Sequence, residues 1–86
     1  MKIRVVITGR SYHTMSHLPD ELMLAEPAQV DDAIARLSEL LPAGQGFPRS
    51  CLVAVTGRHL GTIERHETCP LHDGDELALI APVAGG

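Results

Sequence analysis

One stretch of this chain changes period. From Val30 to Leu41 the apolar residues Val30, Ala33, Ile34, Leu37, Leu40 and Leu41 recur at i, i+3, i+4 and i+7, with Asp31, Asp32, Arg36 and Glu39 off that stripe. The spacing predicts an amphipathic helix of about three turns. Asp31 and Asp32 fall in its first turn, where carboxylates complement the helix dipole. Gln29 is an indifferent N-cap, and "PAGQGFP" after Leu41 ends the helix. Elsewhere the apolar residues alternate or come in short β-rich runs. A single helix with that surrounding has to bury its stripe against a sheet.

The sheet is read from those runs. "KIRVVIT", residues 2 to 8, places Ile3, Val5 and Ile7 on one face and Arg4, Val6 and Thr8 on the other, and Gly9 closes it. "RSYHTMSHLPD" is polar and ends in a Pro-Asp turn signal, which predicts a loop. "ELMLAEP", residues 21 to 27, is a second short strand stopped by Pro27, and the two most simply form an antiparallel hairpin. After the helix, "CLVAVTG", residues 51 to 57, is a third strand and "RHLGTI" a brief edge piece. "ERHETCPLHDGD" is a turn-rich connection with a tight turn at Asp73-Gly74. "ELALIA", residues 76 to 81, is the last strand, with Leu77 and Leu79 facing inward and Ala78 and Ile80 outward. The order β-β-α-β-(β)-β implies an α+β domain over residues 1–81, a mixed sheet of four or five strands packed on one main helix. No internal repeat and no interdomain linker interrupt it.

Composition excludes several functions. Eighty-six residues suffice for one small core. With one Phe, one Tyr and no Trp, that core is built from Leu, Ile, Val and Ala, and single-stranded nucleic acid has no stacking platform. A net charge of −4 lacks the footprint of a phosphate-backbone binder and suits basic partner surfaces instead. No apolar run approaches the roughly 20 residues of a membrane helix, and "MKIRVVITGR" alternates like a strand, not a signal peptide. Cytoplasmic residence is the expectation.

Few side chains suggest chemistry of their own. Cys51 and Cys69 match no metal or redox spacing. Reduced thiols are the default, Cys51 as a small buried hydrophobe and Cys69 in a loop before a proline; a disulfide between them stays open. His13 and His17 have the i, i+4 spacing of a metal pair, but no helical stripe, glutamate or third ligand accompanies them, so a solvated loop is the better reading. His59, His66 and His72 are scattered in turn-rich sequence and read as surface residues. No metal and no bound cofactor are expected.

The tail raises the functional question. "DGDELALIAPVAGG" runs from a turn through a strand to Pro82, Val83 and Ala84, then stops on Gly85 and Gly86. With the element order, this ending resembles the ubiquitin-like β-grasp proteins, and within them the MoaD/ThiS sulfur carriers. It is most similar to the small, sulfur-carrying subunits of molybdopterin synthases, which end in a Gly-Asp-Glu turn, a hydrophobic strand and Pro-Pro-Val-x-Gly-Gly. Gly74, Asp75 and Glu76 match the turn, and Pro82, Val83, Gly85 and Gly86 match the tail. The element order covers the whole chain, while the specific motif covers the last 14 residues. Ala81 stands in place of the first proline, and Thr56 where the family usually has asparagine.

The resemblance implies a carrier with no catalysis of its own, the small subunit of a sulfurtransferase complex. A ubiquitin-activating-type adenylyltransferase uses ATP to adenylate the Gly86 carboxylate, and a sulfur donor displaces AMP to leave a C-terminal thiocarboxylate. The large molybdopterin synthase subunit, or another client enzyme, takes the sulfur for a pterin precursor. The residues suit this. Without Cβ atoms, Gly85 and Gly86 leave the carbonyl open to attack and the backbone free to thread a channel. A flexible tail over residues 82–86 reaches about 17 Å when extended, Pro82 stiffens its exit, and Ile80 is the apolar residue expected to touch a partner with Pro82, Val83, Ala84 and Gly85. Ala81 and Thr56 keep other clients open: thiamine thiazole, cysteine or other thiolation. A ubiquitin-like modifier or interaction domain is the alternative of another class.

Overall fold

The computed structural model describes residues 1–9, 18–41 and 46–81. Strand β1 is Lys2–Gly9, β2 Glu21–Met23, helix α1 Val30–Glu39, β3 Leu52–Val55, β4 Arg58–Thr62 and β5 Glu76–Ala81. The five strands form one sheet in the order β2-β1-β5-β3-β4. β5 lies in the middle, parallel to β1 from Arg4–Glu76 to Gly9–Ala81 and antiparallel to β3 from Leu52–Ile80 to Val55–Leu77. The two outer pairs, β1–β2 and β3–β4, are antiparallel. This is the ubiquitin-like β-grasp arrangement that the element order implied.

The helix buries its stripe on one face of that sheet. Val30, Ala33 and Leu37 are fully buried against a core that includes Ile3, Val5, Leu22, Val53, Val55, Leu77 and Leu79. The buried stripe is narrower than its periodicity suggested. Ile34 is half-buried, and Leu40 is exposed because the helix ends at Glu39, where Leu40 is the C-cap and donates to the Leu37 carbonyl. Leu41 is buried, but in a smaller cluster with Leu18, next to Ile7 and Phe47. Gln29 is the N-cap, with Asp32 reaching back to accept from its N–H at 2.8 Å. That return bond, not the Gln29 residue type, satisfies an end of the helix.

Two strand boundaries fall inside the expected ones. β2 stops at Met23, short of the expected 21–27, because β1 begins at Lys2: once the Leu24 N–H has bonded the Met1 carbonyl, no partner strand remains. β3 covers 52–55, not 51–57, because Thr56 (φ 48°) and Gly57 (φ 83°) form a two-residue hairpin turn with both central residues left-handed. The edge piece is a full strand, β4, and it carries one extra residue, Leu60, between the Val53–Gly61 and Ala54–His59 pairs. The cysteines are both free thiols, Cys51 buried and Cys69 half-buried.

After β4 the chain folds back on the strand it has just left. Gly61 bridges to His66, the Thr62 N–H bonds the Arg65 carbonyl at 2.8 Å, and the Glu67 N–H bonds the Leu60 carbonyl at 3.0 Å. The return is so close that a Cβ on Gly61 would lie 2.4 Å from the Arg65 carbonyl oxygen, and Gly61 has φ +134°. Both the conformation and the space require glycine. Gly61→Ala is therefore expected to cost about 2–3 kcal/mol, read as a fall of the thermal midpoint by roughly 10 °C or more.

Candidate functional site

The site is the C-terminal end of β5 and the sheet face beside it. β5 alternates, so Leu77, Leu79 and Ala81 point into the core while Glu76, Ala78 and Ile80 point to the opposite face. Register brings neighbours to them. Val6 and Ala54 flank Ala78, and Thr8 and Leu52 flank Ile80. His59 continues the first row beyond Ala54, and Thr62 the second beyond Leu52. The result is an apolar patch of Val6, Leu52, Ala54, Ala78 and Ile80 with polar residues at its ends. Leu52 is 39% exposed, and Val6, Ala78 and Ile80 are partly exposed. Among the described residues, the only helix lies on the other face.

Ile80 is thus where its alternation placed it, outward and next to the tail. Pro82, Val83, Ala84, Gly85 and Gly86 lie outside the described residues, as do His13 and His17. What precedes the tail is well held: Ala81 is buried and pairs with Gly9. Leu52, Val6 and the buried Ala54 share this face with Ile80 and were not singled out by the sequence. β3 is apolar throughout, and only cross-strand register reveals which residues adjoin Ile80, which is not visible in any one strand.

The far end of β5 is fastened by Asp75. Its carboxylate accepts from the Thr56 hydroxyl at 2.8 Å and from the His72 N–H at 2.8 Å, with the His72 ring at 3.6 Å. Thr56 donates its N–H to the Glu76 carbonyl at 2.7 Å, and its hydroxyl accepts from the Glu76 N–H at 3.2 Å. Arg4 donates its N–H to the Asp75 carbonyl at 2.9 Å. Gly74, at φ +89°, makes the turn that presents Asp75 to all of them. Burial alone would raise the Asp75 pKa; the His72 N–H, the Thr56 hydroxyl and the His72 charge outweigh it and hold the carboxyl below 3.8. The Gly-Asp-Glu segment therefore locks the β3–β4 turn onto the start of β5.

The remaining candidates carry no visible chemistry. Burial pushes the Cys51 thiol up to about 11, so it stays protonated and unreactive. No group of three or more His, Cys, Asp or Glu among the described residues could hold a metal ion. No described helix is long and apolar enough to cross a membrane. His59 and His72 are exposed as expected, but His66 is not: its side chain is only 11% exposed and bonded at both ring nitrogens.

With this geometry in place, comparison with known proteins identifies the class. The model of the ThiS family matches residues 5–86, and the chain belongs to that family of ubiquitin-like sulfur carriers. It is also similar to the molybdopterin synthase sulfur carrier subunit of Chlamydomonas reinhardtii, 26% identical over 86 residues that cover all of both chains. No solved structure matches it.

Removing the Asp75 fastening gives a measurable result. Asp75→Ala is expected to lose about 1–3 kcal/mol at neutral pH, the cost of leaving its donors unpaired. A carboxyl held low stabilises the fold above its unfolded pKa and ceases to as pH falls through the folded value. Urea midpoints of the two proteins should therefore converge as the pH is lowered through 3.8 and beyond.

Proposed function

We propose that this protein is the sulfur-carrying subunit of a molybdopterin synthase-type complex, its cargo held as a thiocarboxylate on Gly86. One observation carries the reading: the ThiS family match runs through the terminal Gly-Gly to Gly86. The full-length likeness to a molybdopterin synthase sulfur carrier subunit supports the choice of client.

The chemistry begins with a poor electrophile. A carboxylate resists attack, so an activating enzyme joins it to the α-phosphate of ATP, releasing pyrophosphate and leaving an acyl-adenylate. A sulfur nucleophile then adds to the acyl carbon, the C–O bond to AMP breaks, and AMP departs with the electron pair. Where that nucleophile is a donor persulfide, a second thiol attacks the donor sulfur, forming a donor disulfide and releasing the thiocarboxylate. In the client, its sulfur bonds a carbon of the pterin precursor as a C–O bond there breaks and the oxygen leaves with the electron pair; water then cleaves the acyl–sulfur link, returning the carboxylate and leaving a thiol on the product.

The carrier contributes reach and access. Gly85 and Gly86 present an acyl carbon with no side chain beside it, on a tail of about 17 Å when extended. Pro82 restricts the root of that tail, limiting the entropy lost on insertion. The body would rest on its partner through the Val6–Leu52–Ala54–Ala78–Ile80 patch, with Ile80 nearest the tail. Activating enzyme and client take turns there, since both need the same terminus.

Mass analysis tests the central step. Incubation with the adenylating enzyme, ATP and a sulfur donor should replace one oxygen of the terminal carboxylate by sulfur, and deleting Gly85 and Gly86 should abolish the change without unfolding the body. A Gly-Gly remnant on lysines of other proteins, in place of the thiocarboxylate, would instead make it a modifier. Ile80→Glu should weaken capture by the large synthase subunit roughly tenfold or more, with its thermal midpoint near that of the unaltered protein.

A further inference from the structure

The return segment after β4, residues 63–71, is a strap that crosses from the sheet edge to the start of α1. Two backbone bonds seat it there: the Val30 N–H donates to the Cys69 carbonyl, and the Leu71 N–H to the Ala28 carbonyl, each at 2.8 Å. The Thr68 hydroxyl donates to the Gln29 side-chain oxygen. At the centre of this seat lies His66. Its Nε2 is 2.6 Å from a carboxylate oxygen of Asp31 in the helix's first turn, and its Nδ1 is 2.8 Å from the Thr62 carbonyl on β4.

Both partners of the ring are acceptors only. A neutral imidazole has a single N–H, so it can bond one oxygen and must turn a lone pair on the other; the imidazolium has two and satisfies both. With 11% of the side chain exposed, water has little room to relieve the unmatched nitrogen. The charged group in contact with the ring is Asp31 from the helix. Asp32 is engaged by the Gln29 N–H and Glu67 by Arg58 at 3.4 Å, which leaves Asp31 as the carboxylate bonded to the ring.

We propose that His66 is a proton-operated latch: protonated, it pins the strap to both β4 and the helix; deprotonated, it gives up one of the two bonds and its ion pair with Asp31, and the strap loosens from the N-terminus of α1. The direction of titration agrees with this. Burial lowers the His66 pKa, but the Asp31 hydrogen bond, the Thr62 carbonyl, the Asp31 charge and the Ile63 carbonyl together raise it above 6.5. A raised histidine pKa gives stability that is full below the unfolded value and is lost as pH rises through the folded one. The latch thus closes in mild acid and opens on the alkaline side of 6.5. It is independent of what the tail carries.

Nuclear magnetic resonance of the full chain across this range tests the latch, using ring-nitrogen shifts for the state of His66 and amide exchange for the strap. In the unaltered protein His66 should be doubly protonated in mild acid and lose a proton as the pH rises. Protection factors of the Val30 and Leu71 amides should fall roughly tenfold as it titrates, the size of one hydrogen bond to a charged group. In Asp31→Asn, an exposed position, the titration and the fall should shift together to lower pH. In His66→Gln the two amides should show the released protection at every pH. The latch is overturned if Val30 and Leu71 keep their protection while His66 titrates, or lose it with the same pH profile in Asp31→Asn. Should His66→Gln not fold, the Asp31→Asn comparison decides alone.

Discussion

The structure depends on the pairing of its last strand between its first and its third. β5 is hydrogen-bonded along its length to β1 on one side and to β3 on the other, while β1–β2 and β3–β4 are local hairpins that meet only across it. Everything functional inherits its position from that pairing. Leu77 and Leu79 complete the core under α1, the alternate residues Ala78 and Ile80 complete the apolar patch, and Ala81 holds the root of the tail beside Gly9. A central strand, hydrogen-bonded on both sides, is the most firmly held element of a sheet.

Much of this was legible in the residues, and the reasons are specific. The helix declared itself through Val30, Ala33 and Leu37, and the strand faces through Ile3 and Val5 or Leu77 and Leu79, because burial on one face imposes a period. What failed to show is what depends on partners distant in sequence. β2 ends early because its neighbour runs out, a fact no property of "LAEP" encodes. His66 looked like a surface residue because its two acceptors, Asp31 and Thr62, become neighbours only when the strap folds back. The patch around Ile80 was half visible: its own exposure followed from alternation, whereas Leu52 and Val6 needed the register. The tail was read from its likeness to a family.

Thr56 shows how a departure from a family pattern can be absorbed. A β-branched residue at φ 48° is unfavourable, and asparagine would adopt that conformation more readily. Here the hydroxyl accepts from the Glu76 N–H and donates to Asp75, so the turn gains two bonds that tie β3–β4 to the start of β5. Thr56 is thus a short polar side chain that stitches a hairpin turn to the central strand.

The doubled-back course after β4 also governs how copies of this protein meet. On that flank the Leu60 carbonyl and the Thr62 N–H are already engaged by the chain's own residues, and on the opposite flank β2 offers only three residues. A second molecule seeking to extend the sheet sideways finds too little bare backbone to grip. Lateral polymerisation, the standing hazard for a small β-rich body with an apolar surface, is thereby checked at both borders. The broad sheet face that carries Leu52 and Ile80 is thus a freer approach for another molecule than either border.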